Sequence, residues 1–184
     1  MEEIKVIETI LDFGPEWSVT SLKFSKEDGS VHIYLTYTQE SGIDLLTGEV
    51  CKIYDYRAER QWQHLPILQY KSYIHCRVPR IRNSSGKVDS ISLPWCSPKE
   101  RHTHLFENFV IDLLLATHNQ TKTAKFAQTS FDVVNRIMHL AVKRGMCRRV
   151  IKEGEVKTLC LDEKSYGPAH NYISVLTDPV NKRI

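Results

Sequence analysis

No apolar run in these 184 residues approaches the roughly 18 that a membrane-spanning helix requires, so no membrane is expected among the partners. The start, Met1-Glu-Glu-Ile-Lys, lacks both the basic opening and the apolar stretch of a secretory leader. Cysteine is sparse and odd in number, at 5 residues, with no two spaced Cys-x-x-Cys. That usage argues against a disulfide framework and for a reduced, cytoplasmic protein. Glycine and proline are thin as well, at 8 and 7 residues, which excludes collagen-like and low-complexity chains. What remains, 41% hydrophobic and 26% charged residues, is the composition of a globular chain of one domain or two small ones.

Charge is nearly balanced overall, at +3, yet uneven along the chain. Residues 1–51 hold 10 acidic and 3 basic side chains, residues 52–87 hold 2 and 8, and residues 99–152 hold 4 and 10. Two basic blocks in a near-neutral chain point to a polyanionic partner, although a solvated charged surface gives the same count.

The hydrophobic period changes twice. Ile4, Ile7, Ile10 and Leu11 fall at helical spacing before Gly14-Pro15 stops the run. Val19, Leu22 and Phe24 then lead through Glu27-Asp28-Gly29-Ser30 to the alternating Val31, Ile33, Leu35 and Tyr37, which predicts a hairpin. Short strands are expected at Cys51–Tyr56, Gln61–Leu65, Tyr70–Val78 and Val88–Leu93, parted by Pro66, Pro79, Asn83-Ser84-Ser85-Gly86 and Pro94. A β-module of this size has little core of its own, and Tyr54, Tyr56, Trp62 and Trp95 are the expected packing residues.

From Thr103 the spacing is helical: Phe106, Phe109, Val110, Leu113 and Leu114 share one face until Asn119. A short helix over 121–127 follows. Thr129 then reads as an N-cap with Asp132 in the capping-box position, ahead of Phe131, Val134, Met138 and Ala141, and Gly145 ends the run. Arg148, Arg149 and Lys152 lead to strand-like pieces at Val156–Leu161 and Asn171–Leu176.

Short helix, tight turn and longer capped helix make a helix-turn-helix pattern over 119–145. Starting near Ser130, the longer helix shows Asn135, Arg136, His139, Lys143 and Arg144 away from its apolar stripe, and the short helix adds Lys122 and Lys125. Asn and Arg suit base edges and Lys suits phosphates, which makes these the candidate DNA-binding residues. An ordinary helical hairpin in a core has the same outline. The β-module adds a basic, aromatic set, including Arg57, Arg60, Tyr70, Tyr73, Arg77, Arg80 and Arg82, of the kind that tracks a nucleic-acid backbone. His64, His75, Cys76, Cys96, His102 and His104 show no paired zinc spacing, and no metal site is expected among them.

Several stretches, taken in order, resemble bacterial insertion-sequence transposases of the ISL-three family. They are Cys51-Lys-Ile-Tyr-Asp-Tyr-Arg, Trp62-Gln-His-Leu-Pro, Arg77-Val-Pro-Arg, Leu93-Pro-Trp95, Phe106-Glu107, Ser130-Phe-Asp-Val-Val-Asn-Arg-Ile and Asp162-Glu-Lys-Ser-Tyr with Tyr172-Ile-Ser-Val-Leu-Thr-Asp. The resemblance implies an α+β chain in three parts. Residues 1–98 would form an N-terminal helix and a module like a degenerate zinc ribbon, 99–152 a helix-turn-helix segment, and 153–184 the opening of a ribonuclease-H-like DDE catalytic domain. Where the family carries its two zinc-ligand pairs, this chain reads Asp44-Leu-Leu-Thr47 and Asn83-Ser-Ser-Gly86, so zinc is not expected. Asp162 matches the first catalytic carboxylate, a vestigial one here, because the second Asp and the Glu fall beyond Ile184. Divalent metal would serve catalysis only in full-length relatives.

The expected protein is therefore the DNA-binding portion of a truncated transposase, not itself an enzyme, with double-stranded transposon-end DNA as partner. The alternative is a helix-turn-helix transcription regulator or transposition inhibitor derived from such a transposase. A homodimer is left open.

Overall fold

The structure, a computed structural model, describes residues 2–148, 155–165 and 171–180. It is α+β, and the chain divides into two compact units, Met1–Leu140 and Ala141–Ile184. The expected N-terminal helix is α1 (Glu2–Leu11), and the expected hairpin is β1 (Trp17–Ser25) with β2 (Ser30–Tyr37). Asp12, at φ 40°, turns the chain out of α1 two residues before Gly14. Glu8 then fastens the helix to β1, accepting from the Ser18 hydroxyl at 2.7 Å and the Val19 amide at 2.5 Å. Those two donors, the hydroxyl first, hold its carboxyl below the usual range.

The rest of the sheet is β3 (Ser41–Ile43), β4 (Val50–Ile67), β5 (Tyr70–Arg82) and β6 (Val88–Ser90), in the order β1-β2-β5-β4-β3 with β6 also on β5. All pairings are antiparallel except β2 with β5, which is parallel in register from Ser30↔Lys71 to Leu35↔Cys76. The two strands expected at Cys51–Tyr56 and Gln61–Leu65 are one 18-residue strand. The polar run between them, and Pro66 and Pro79, do not break strands; they coincide with register shifts between Tyr56 and Glu59 and between His64 and Ile67. Proline gives no ladder hydrogen, so a long strand keeps it at a bulge.

This sheet buries more than a small β-module was expected to. Phe13, Trp17, Ile33, Leu35, Tyr37, Trp62, Ile74, Cys76, Val78, Ile81 and Trp95 lie in one cluster, with Ile4 and Leu11 of α1 packed against it. The N-terminal helix and hairpin supply what the later strands lack. Trp17 and Trp95 meet edge to face at 4.7 Å, and Phe13 meets Trp95 at 5.5 Å. Trp62 and Trp95 are core residues as expected, but Tyr54 and Tyr56 are 50% and 41% exposed. They stand on the opposite side of the pleat, where the Arg82 guanidinium lies 3.9 Å from the Tyr54 ring centre. At Gly42 a Cβ would come within 2.6 Å of an Ile91 methyl carbon, so only glycine permits β3 to lie this close to the core.

The two turns where the resemblance implied zinc ligands meet each other. Asp44 accepts the Leu46 amide at 2.8 Å and the Asn83 side-chain amide at 2.9 Å. Asn83 closes its own turn by accepting the Lys87 amide at 2.9 Å, and the Ser84 hydroxyl donates to Glu49 at 3.0 Å. The Leu46 amide and the Asn83 side chain hold the Asp44 carboxyl below the usual range. These side chains satisfy one another.

Beyond the sheet lie α2 (His104–Thr117), α3 (Gln120–Phe126) and α4 (Phe131–Arg148). Their shared core is Phe106, Val110, Ala124, Ala127, Val134 and Ile137. The apolar stripe of α4 is thus Val134 and Ile137, one step round from the expected one, and Phe131 is 50% exposed. Helix α4 opens after Ser130, whose hydroxyl accepts the Val133 amide at 3.3 Å, not after Thr129. It continues through Gly145 to Arg148, because nothing at Gly145 forces a left-handed turn. Arg149 and Lys152 lie outside the described residues.

In the second unit, β7 (Cys160–Ser165) and β8 (Tyr172–Thr177) form an antiparallel hairpin. The expected strand Val156–Leu161 is displaced toward the C-terminus, so Asp162 lies inside β7 opposite Val175. Leu159, Leu161 and Ile173 are exposed, while Val175 is half-buried.

The contact between the two turns predicts that Asn83→Ala removes one partly buried hydrogen bond to Asp44 and one turn closure, lowering stability by about 1–2 kcal/mol. Urea unfolding of parent and variant measures this.

Candidate nucleic-acid interface

Gln63 of β4 positions the helices. Its backbone amide donates to the Arg101 carbonyl and its carbonyl accepts the Thr103 amide, both at 2.9 Å, so residues 101–103 lie along the strand. At the other end of the side chain, Nε2 donates to the Gln128 carbonyl at 3.4 Å and Oε1 accepts the Thr129 hydroxyl at 3.2 Å. Gln128 returns a bond from its own Nε2 to the Gln69 carbonyl at 2.9 Å. Both the start of α2 and the turn between α3 and α4 are therefore fastened to one sheet residue. Thr129, read from the sequence as a cap, is spent on this contact. Gln128 sits at φ 52°, a left-handed turn conformation.

Thr103 completes the junction. Its hydroxyl caps α2 by accepting the Phe106 amide at 3.2 Å and lies 2.9 Å from Nδ1 of buried His64. Burial pulls the His64 imidazole down to about 4, so it is neutral near pH 7.

The sequence-derived binding residues divide into four groups. Lys122, Lys125, Ser130 and His139 are exposed around the α3–α4 turn and the first half of α4. Asn135 is half-buried. Lys143 and Arg144 are exposed on the part of α4 that belongs to the second unit. Arg136 differs from expectation: half of its side chain is exposed, but Nη2 lies 3.7 Å from Glu100 Oε2 and 3.4 Å from His102 Nδ1. Two carboxylates and an imidazole packed together draw in the nearest cation, and on α4 that is Arg136.

The sequence reading missed this cluster. His102 Nε2 lies 3.5 Å from Glu100 Oε2 and 3.3 Å from Glu107 Oε1, with His102 and Glu107 buried. An acid and a histidine two apart in an extended segment, with a second acid in the first turn of the next helix, was the available signal.

On the sheet, Arg57, Arg77 and Arg82 are exposed, and the exposed aromatics Tyr54 and Tyr56 were expected in the core, whereas Arg60, Tyr70 and Tyr73 of the expected set are half-buried. Trp62 and His64 are withdrawn from that set into the core, and Arg80 is held by Asp55 in a bidentate pair. Asp55 sits below the usual carboxylate range chiefly for that reason.

Asp162 is exposed on β7 with Glu163 beside it. Among the described residues the one group of three converging metal-ligating side chains is Glu100, His102 and Glu107, and it does not include Asp162.

The chain is distantly similar to a transposase. It is 22% identical over 125 residues to the transposase for insertion sequence element IS1557 of Mycobacterium tuberculosis strain CDC 1551 / Oshkosh. The same figures hold for that of strain ATCC 25618 / H37Rv. Each match covers 68% of this chain and 28% of the relative, so the chain matches under a third of the relatives' length. No family model and no solved structure matches it.

The His64 junction sets a pH dependence. The folded chain holds the imidazole near 4 against 6.5 for the ordinary group, so the unfolded chain binds the proton more readily. His64 therefore lowers stability as pH falls from about 6.5 toward about 4, by about 2–3 kcal/mol in all, and costs nothing above that window. His75, drawn down by burial and by His32 and partly restored by Glu59, acts in the same direction. Denaturant midpoints measured from pH 4 to 8 should fall less steeply in His64→Phe than in the parent.

Proposed function

We propose that the chain is the DNA-recognition part of an insertion-sequence transposase, gripping double-stranded DNA through α3, the following turn and the start of α4. The observation that carries this reading is the exposure of Lys122, Lys125, Ser130 and His139 around a turn whose apolar side is buried against α2, in a chain distantly similar to a transposase. Lys122 and Lys125 neutralise phosphates. The N-terminal end of α4, with the positive end of its helix dipole, suits phosphate oxygens, and exposed His139 with the half-buried Asn135 is offered to base edges. The sheet's Arg57, Arg77 and Arg82 extend the basic surface beyond the helices. In the wider family this work serves transposon ends, and that is the substrate proposed here.

Each phosphate contact releases counterions, so its loss shows in the salt dependence as well as in the affinity. Lys122→Ala with Lys125→Ala should flatten the slope of log K against log salt on random duplex by about 2. An unchanged slope places the contact elsewhere. Selection of bound duplexes from a random pool separates transposon ends from an unrelated promoter, the latter favouring a regulator.

Strand transfer by these residues alone is not part of the proposal. Two-metal phosphoryl transfer needs carboxylates converging on ions about 4 Å apart. Asp162 has the alternate-facing Glu163 as its neighbour on β7, and no third ligand converges with them among the described residues. These residues do not fit such a metal pair. The chain should leave transposon-end DNA uncut in magnesium or manganese. Cutting that disappears in Asp162→Ala would contradict this.

A further inference from the structure

We propose that Glu100, His102 and Glu107 form a binding site for one divalent transition-metal ion, at the junction between the sheet and the helices. The three ligand atoms lie within 4.8 Å of one another. His102 is 2% exposed and is aimed into the cluster, and its Nε2 and the facing Glu100 Oε2 are buried without a hydrogen-bond partner. A buried polar atom left so costs roughly 1–3 kcal/mol unless something satisfies it.

The spacing favours a shared ion over direct bonds. The separations from His102 Nε2, 3.5 Å to Glu100 Oε2 and 3.3 Å to Glu107 Oε1, exceed the usual N–H···O hydrogen bond. They match the separation of about 3.3–3.4 Å between neighbouring ligands held tetrahedrally at 2.0–2.1 Å from a zinc-sized ion. One imidazole and two carboxylates are a ligand set for a first-row divalent ion, with a fourth position left for water. The chain supplies the geometry simply. Glu100 and His102 are two apart in the extended segment fixed along β4, and Glu107 is in the first turn of α2, capped by Thr103.

Arg136 is the competitor. Its Nη2 lies near both Glu100 Oε2 and His102 Nδ1, supplying positive charge to the Glu100 carboxylate from the half-exposed side. A metal on Nε2 requires the proton on Nδ1, where it would face the Arg136 N–H groups. Metal entry therefore expels Arg136, and the arginine and the ion compete for the Glu100 carboxylate and the His102 imidazole. If the DNA reading above holds, the released arginine is on the helix offered to DNA. The metal site itself stands independently of that reading.

Zinc titrated calorimetrically into the full chain provides the test. The parent should bind one zinc per chain at this site, Glu100→Gln should weaken it at least tenfold, and Arg136→Ala should tighten it severalfold. Glu100 is only partly buried and glutamine is its isostere, and Arg136→Ala removes no ligand, so neither arm depends on surviving a core deletion. Far-UV spectra check the fold of each. The five cysteines are intact in both variants, so zinc held by thiols would be unaffected by either substitution. Equal zinc binding by parent and Glu100→Gln, or none by either, means that the cluster is only an ion-pair network and overturns the proposal.

Discussion

A single glutamine carries the connection on which the helical half of the first unit depends. Gln63 uses both backbone groups to hold residues 101–103 along β4, and both ends of its side-chain amide to hold the turn between α3 and α4. Helix α2 begins where the first contact ends, capped by Thr103, and α3 and α4 pack on α2. The exposed lysines thus take their position from the sheet. Short helices of 7 residues, such as α3, are not stable alone. Here burial of Ala124 and Ala127 and the bonds to Gln128 and Thr129 fix its orientation.

Polar groups satisfy one another across the two turns where the resemblance implied zinc ligands. There Asp44 and Asn83 close on each other, and the strands that carry them share a large aromatic core. At the junction, His102 Nε2 and Glu100 Oε2 are buried without a hydrogen-bond partner, with the Arg136 guanidinium 3.7 Å from the carboxylate oxygen. The contrast is between a complete hydrogen-bond set and an incomplete one, and the incomplete one invites a ligand.

Much of this was legible in the sequence, for reasons that can be named. The α1 helix, the β1–β2 hairpin and the three later helices follow from periodicity and turn residues within one segment. What misled was local reading of non-local facts. Pro66 and Pro79 look like strand breakers until the register shows bulges that accommodate them. Tyr54 and Tyr56 look like core until the pleat places them outside. Gly145 looks like a helix stop, yet a glycine ends a helix only where the next turn needs a left-handed residue. Gln63 shows no signal at all, because its role depends on partners 38 to 66 positions away. Of the candidate site, the exposed positions Lys122, Lys125, Ser130 and His139 were legible from helical phase, whereas the diversion of Arg136 depended on acids brought near by the fold.

The central proposal is that DNA meets chiefly α3 and the start of α4, with the sheet's arginines as an extension of that surface. Amide chemical-shift mapping of the whole chain, titrated with a duplex, tests it most directly. The account predicts the largest shifts at residues 119–123 and 128–133, around the two helix starts, with smaller ones near Arg57 and Arg77. Large shifts confined to the sheet, with residues 119–139 unmoved, would contradict it.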